Sequence, residues 1–205
     1  MQSYIDGEPF GATRATVAAA LADGAALAEE RGRIVVEIEV DGQSLTGDDL
    51  VNPSDTEGAA SEIRLTTAEP RSLVGVTLAE ASEAIGVSAA THTRAATLLH
   101  QGDQDGAAEA IGEVLGTWHA VRAAFDHGAQ LLGEDLLGEL ENASAAAQSL
   151  STHLDELRQA VQISDWTAVA DTLEHDLGPQ TEVWAGMLKS ASERVLSGAG
   201  GASAG

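Results

Sequence analysis

The spacing of apolar residues divides the chain near residue 70. Before that point apolar and polar residues alternate, which predicts strands with one buried face. In the segment "RIVVEIEVDG" the residues expected on the buried face are Ile34, Val36, Ile38 and Val40. The segment "SEIRLTTA" alternates in the same way through Ile63 and Leu65. Asp-Gly pairs at residues 6–7 and 41–42 predict two-residue hairpin turns.

One helix is predicted between the two hairpins, in "TVAAALADGAALAEER". Val17, Leu21 and Gly24 fall on one face of it, and Thr13 or Thr16 can cap its first turn. The resulting order over residues 1–68 is strand, strand, helix, strand, short strand, strand, which resembles the β-grasp or ubiquitin-like fold. A related α+β layer of three or four strands is the alternative. The Gly-Gly handle of ubiquitin-like sulfur carriers is not expected here, because this domain continues into helices.

After residue 70 the apolar residues recur at alternating intervals of three and four, the spacing of coiled-coil helices. The pattern predicts an all-α, four-helix region over residues 71–196, with the third helix beginning at Leu136. Similar joints at Asp103 and Asp165 indicate two helical hairpins, arranged as a closed bundle or as paired hairpins. Gly178-Pro179 should kink or interrupt the fourth helix. Residues 197–205, "SGAGGASAG", are expected to form a flexible tail.

The helical seams contain a few residues of special interest. Large aromatic side chains at seam positions are expected to anchor the bundle core. These anchors are Trp118, Phe125, Trp166 and Trp184. Ser88 and His92 interrupt the apolar seam of the first long helix, so we expect a polar layer that fixes register or partner choice. The alternative is that this layer binds a ligand or senses pH.

The segment "GDQDG" at residues 102–106 resembles a cation-binding loop at first sight. With Gly106 at the glycine position of an EF-hand, however, Gln101 and Gly112 occupy the two outer ligand positions, where carboxylates are needed. We therefore expect a joint in which Gly102 ends one helix and Asp103 caps the next. No histidine has the spacing of a di-iron or zincin motif, so no metal or cofactor is predicted.

Composition narrows the class of protein. The chain has no cysteine, and aromatic residues make up only 3% of it, so the core must rely on close approach of alanine-rich helices. No run of about 18 apolar residues and no signal peptide are evident, so we expect a cytoplasmic protein without membrane insertion. A net charge of −23 disfavours nucleic acid as a partner. That acidity is consistent either with a saline habitat or with a basic partner.

The layout resembles bacterial proteins in which a β-grasp-like domain precedes a bundle of long helices. That resemblance implies no functional residues. No nucleophile, phosphate loop or carboxylate pair is spaced for catalysis, so we do not expect an enzyme. We expect an adaptor or an assembly, secretion or flagellar chaperone that binds a helical or basic protein, and a homodimer is also compatible with the long seams. The alternative is a ligand-sensing or metal-sensing bundle organised around Ser88 and His92.

Overall fold

The chain divides into two compact units in the computed structural model, Met1–Leu73 and Val74–Gly205. Described residues are 1–11, 16–46, 53–54, 56, 58–136, 138, 140 and 142–199. A small mixed sheet with one helix forms the first unit, and long helices form the second. The predicted succession of an α+β region and an all-α region is therefore confirmed.

The first unit contains a five-stranded sheet and one helix. Its elements are β1 (Gln2–Ile5), β2 (Glu8–Pro9), α1 (Val17–Glu30), β3 (Ile34–Val40), β4 (Gln43–Ser44) and β5 (Glu62–Ala68). The strand order is β2-β1-β5-β3-β4, in which β1 and β5 are parallel and the other pairs are antiparallel. Because parallel neighbours need a long connection, the central β1–β5 pair brings the two ends of this unit together.

Two turns close the hairpins as the sequence predicts. Asp6 and Gly7 have φ angles of 50° and 83°, and Asp41 and Gly42 have φ angles of 49° and 80°. Positive φ at both central residues is typical of type I′ turns, which match the twist of the flanking strands. The side chain of Thr16 caps α1 by accepting a hydrogen bond from the N–H of Ala19 at 3.2 Å. The other predicted cap, Thr13, lies outside the described residues.

The predicted buried face of β3 is wrong at its beginning. A bulge between Val35 and Glu37 shifts the register of β3 against β5. Val35 therefore packs against the core together with Ile38 and Val40, while Val36 is 45% exposed. A bulge places two residues opposite one, so it reverses the faces on which the side chains lie.

Asp6 also ties the first hairpin to the end of β5. Its carboxylate accepts hydrogen bonds from the N–H of Thr67 at 2.8 Å and from the Thr67 hydroxyl at 2.6 Å. Arg33 in turn donates to the Thr67 hydroxyl and to the Thr67 carbonyl oxygen. The two hydrogen bonds from Thr67 lower the pKa of Asp6, and the nearby charges of Arg33 and Arg31 lower it further.

The second unit consists of long helices. They are α2 (Pro70–Gln101, which begins before the unit boundary), α3 (Gln104–Leu132), α4 (Ala143–Gln162), α5 (Trp166–Asp171), a π-helical turn (Thr172–Leu177) and α6 (Gly178–Ala199). The third long helix thus begins at Ala143, and the prediction of Leu136 is wrong. Leu136 is buried without being helical, which explains why it continues the apolar spacing.

A residue with a positive φ angle, followed by a capping aspartate, forms each of two joints between successive helices. Gly102 has a φ of 79°, and the side chain of Asp103 accepts a hydrogen bond from the N–H of Gly106 at 3.0 Å. At the second joint Ser164 has a φ of 58°, and Asp165 accepts from the N–H of Ala168 at 3.1 Å. The predicted helix stop and N-cap in "GDQDG" are confirmed, and the second joint repeats them.

The interruption predicted at Gly178-Pro179 is a π-helical turn, Thr172–Leu177. Pro179 has no N–H to donate to the carbonyl four residues earlier, and its ring would collide with that carbonyl. The N–H of Gly178 instead donates to the Leu173 carbonyl, five residues back. Widening this turn makes room for the proline, and α6 then continues to Ala199.

Residues 197–199, which we expected to be part of the flexible tail, are therefore helical. Residues 200–205 lie outside the described part of the chain.

Small residues allow close contacts inside the second unit, as the alanine-rich composition predicts. The hydroxyl of Ser192 donates to the Gly75 carbonyl oxygen at 2.7 Å, so α2 and α6 touch at this point. A Cβ atom on Gly75 would lie 2.5 Å from Leu196, and a Cβ atom on Gly128 would lie 2.9 Å from Val74.

Among the described residues, α2 is the one helix that is long and apolar enough to cross a membrane. Only 28% of its most apolar 18-residue window is buried inside the protein. Core helices of water-soluble proteins meet the same criterion, so a lack of membrane insertion stays a prediction.

Candidate functional site

The predicted polar layer, Ser88 and His92, is buried in the second unit. His92 on α2 is fully buried, and its Nδ1 lies 2.8 Å from the Ser88 carbonyl oxygen. Its Nε2 lies 3.1 Å from Nε1 of Trp118 on α3. A carbonyl only accepts and an indole N–H only donates, so the two partners assign the proton of a neutral imidazole to Nδ1. Ser88 is buried beside it and donates to the Ile85 carbonyl.

This environment favours the neutral form of His92. Burial lowers the pKa of His92, and its hydrogen bond to the Ser88 carbonyl offsets only part of that effect. Both ring nitrogens are already engaged inside the protein. In the described ranges no group of three or more His, Cys, Asp or Glu side chains is placed to hold a metal ion. The chemistry visible at this position is thus a hydrogen-bonded link between α2 and α3.

The predicted aromatic anchors continue from this link. Trp118 packs edge-to-face against both His92 and Trp184, with ring centroids 6.1 Å apart in each pair. Phe125 packs against Trp184 with a centroid distance of 5.9 Å. The fourth anchor, Trp166, is half-buried and packs at the edge of the core. Edge-to-face contacts add to area burial, so this row fixes the spacing of α2, α3 and α6.

Next to this row, a groove separates α3 from α4. It consists of two adjacent cavities, cavity A of about 420 Å³ and cavity B of about 360 Å³. Cavity A is lined by Ile111, Leu115, Trp118, His119, Arg122, Leu154, Leu157, Arg158, Val161 and Gln162. Cavity B adds Phe125, Ala147, Leu150 and Trp184, together with Asp126, Asp155 and Ser151. Volumes above about 300 Å³ are typical of binding sites, so the groove is the candidate site of this unit.

Apolar side chains that a closed bundle would cover remain accessible in the groove. Leu115 is 43% exposed, and Val161 on the opposite wall is 37% exposed. Trp118 contributes to both cavities from below, although only 2% of it is accessible. From Ile111 to Phe125 the α3 wall is about 20 Å long, the length of roughly four helical turns. This shape suits an elongated apolar ligand better than a compact one.

Two arginines face the groove from opposite helices. Arg122 on α3 lies 3.4 Å from Asp126, and Arg158 on α4 lies 3.0 Å from Asp155. All four side chains are mostly exposed, so these ion pairs are weak and exchangeable. Sequence reasoning missed both arginines, because a charged residue between seam positions reads as an ordinary solvated face. The sequence signal that could have identified them is the rarity of basic residues, since the chain contains only ten lysines and arginines together.

Comparisons with known proteins do not bear on this groove: no protein-family model, curated protein or solved structure matches the chain.

Proposed function

We propose that this chain is a non-enzymatic, cytoplasmic interaction protein, an adaptor or an assembly or secretion chaperone, that binds a helix of another protein in the α3/α4 groove. The observation that carries the proposal is the pair of accessible apolar side chains on opposite walls of that groove, Leu115 and Val161. Helix-in-groove binding uses an apolar stripe on one face of the bound helix. The length of the α3 wall matches about four turns of such a helix.

The proposal includes a finer description of both units. We infer that the first unit is a β-grasp domain, supported by its β2-β1-β5-β3-β4 order and its parallel central pair. We infer that the second unit is a bundle of two helical hairpins, supported by the two capped joints at Asp103 and Asp165. In this arrangement the groove lies between the second helix of one hairpin and the first helix of the other.

The alternative function, a ligand or metal sensor organised around Ser88 and His92, has less support. Both nitrogens of His92 bind partners within the protein, and the side chain is inaccessible. A sensor at this position would have to break the Trp118 hydrogen bond before binding anything. Leu115 and Val161 in the groove are already accessible, so binding there does not require that hydrogen bond to break.

Site-specific photocrosslinking in the cells that produce the protein tests the proposal. A photoreactive amino acid at Leu115 should give adducts with a helical segment of another protein. The same amino acid at Val87, which is 75% exposed on α2 and outside the groove, is the matched control. Equal adducts from both positions, or none from Leu115, would contradict binding through the groove. Elemental analysis showing metal that is lost in His92→Ala would instead support the sensor.

A further inference from the structure

The charges around cavity A differ from those of the rest of the protein. The chain has 33 acidic residues against ten lysines and arginines. The charged or titratable side chains that line cavity A are nevertheless Arg122, Arg158 and His119, without one aspartate or glutamate among its described lining residues. Two arginines therefore line cavity A of a chain that is strongly acidic overall.

The position of the arginines makes them available to a ligand. Arg122 and Arg158 line both cavities, so they lie where the two cavities meet, one on each wall. Their own partners, Asp126 and Asp155, line cavity B but not cavity A. Exposed pairs of this kind contribute little stability, so an incoming carboxylate can compete for either guanidinium.

Local charge outweighs net charge once a ligand is bound. At physiological ionic strength the screening length is about 8 Å, so distant surface acids contribute little to a contact inside the groove. A carboxylate that reaches one of these guanidiniums makes charge-assisted hydrogen bonds, which are stronger than hydrogen bonds between neutral groups. Net charge influences the encounter rate, whereas these contacts decide which ligand remains bound.

We infer that the helix bound in the groove carries acidic side chains on both flanks of its apolar stripe, opposite Arg122 and Arg158. This inference rests on the proposed function, and it reverses the basic partner expected from the net charge. Apolar residues of the bound helix, spaced by three and four, contact Leu115 and Val161. Its glutamates or aspartates pair with the two arginines over cavity A.

Two synthetic helices test the inference on the full-length protein. Both have the same length and the same leucine stripe, but one carries glutamates on its flanks and the other carries lysines. Binding of each fluorescein-labelled peptide is followed by fluorescence anisotropy at physiological ionic strength, where repulsion beyond about 8 Å is already screened. We expect the glutamate peptide to bind about fivefold more tightly or better, as two exposed ion pairs would give.

Charge-reversal variants connect the preference to the groove. Arg122→Glu/Arg158→Glu should abolish or invert the preference for the glutamate peptide over the lysine peptide. Arg64→Glu/Arg94→Glu changes the net charge equally at two exposed, ion-paired arginines outside both cavities, so it should keep the preference. Since all four positions are exposed, circular dichroism should show that both variants stay folded.

The outcomes separate the two proposals. If the lysine peptide binds better, or both bind equally, and Leu115→Asp abolishes that binding, the inference is overturned while helix binding stands. If neither peptide binds, the proposed function fails as well. Light scattering gives the third outcome: a homodimer that Leu115→Asp dissociates would identify a second copy as the occupant and overturn an acidic partner helix.

Discussion

Replacing Trp118 with phenylalanine should remove one buried hydrogen bond and leave its acceptor without a partner. The indole N–H of Trp118 donates to Nε2 of His92, which is fully buried. The net loss of such a bond is about 1 kcal/mol, and a buried acceptor left unsatisfied costs about 1–3 kcal/mol. The smaller ring also leaves a cavity, whose cost must be separated from that of the bond.

Trp184→Phe provides the matched control for the cavity. Trp184 is 4% exposed against 2% for Trp118, and the two rings pack against each other. Its buried indole N–H, however, has no hydrogen-bond partner among the described residues. The same substitution there removes similar ring volume and an unpaired donor. We therefore expect Trp118→Phe to destabilise the protein by about 1–3 kcal/mol more than Trp184→Phe.

Urea unfolding followed by tryptophan fluorescence measures this difference, because all three tryptophans lie in the second unit. The double variant Trp118→Phe/His92→Leu should lose less stability than the two single variants added together, since it removes donor and acceptor at once. An equal loss of stability in Trp118→Phe and Trp184→Phe, or simple additivity with His92→Leu, would refute the reasoning from the hydrogen bond.

Four further predictions concern pH and packing. Because the pKa of His92 is lowered in the folded state, the neutral side chain contributes stability above about pH 6.5, and that contribution is lost as the pH falls toward the folded-state pKa. The free energy of unfolding from urea titrations should therefore decrease as the pH falls, and this decrease should be smaller in His92→Gln. The pKa of Asp6 is also lowered, so its contribution is lost only below about pH 3.9; Asp6→Asn should weaken amide-exchange protection in β5 already at neutral pH. Gly24→Ala should destabilise the first unit by about 1–3 kcal/mol, because the new Cβ would collide with the buried Leu65. A Cβ atom added at Gly112 would collide with nothing, and alanine is a better helix former than glycine. Gly112→Ala should therefore stabilise the second unit by about 0.5–1 kcal/mol, as measured by calorimetry.

Turns, helix caps and helix joints that depend on neighbouring residues could be predicted from the sequence. The Asp-Gly turns, the Thr16 cap and the Asp103 joint each depend on residues within three positions of one another. The seam spacing also identified Trp118, Phe125 and Trp184 as core residues, and they are buried. These features follow from local backbone preference and from helical periodicity, which act before the tertiary structure forms.

The exposed face of β3 and the start of α4 could not be predicted in the same way. A bulge in β3 depends on its pairing with β5, which is distant along the chain. Leu136 keeps the helical spacing although it lies in a connection, because contact with the core selects apolar residues whether or not the backbone is helical. Apolar spacing reports burial, and burial does not specify backbone conformation.

The sequence by itself determined where the strands and helices alternate, which joints end them and which aromatic residues are buried. Only the tertiary structure decided that His92 binds Trp118 and that Arg122 and Arg158 line the same apolar groove from different helices. The first group depends on residues close together in the chain. The second depends on the distance between α3 and α4. That distance is set by the packing of all the helices, so no single segment of the sequence specifies it.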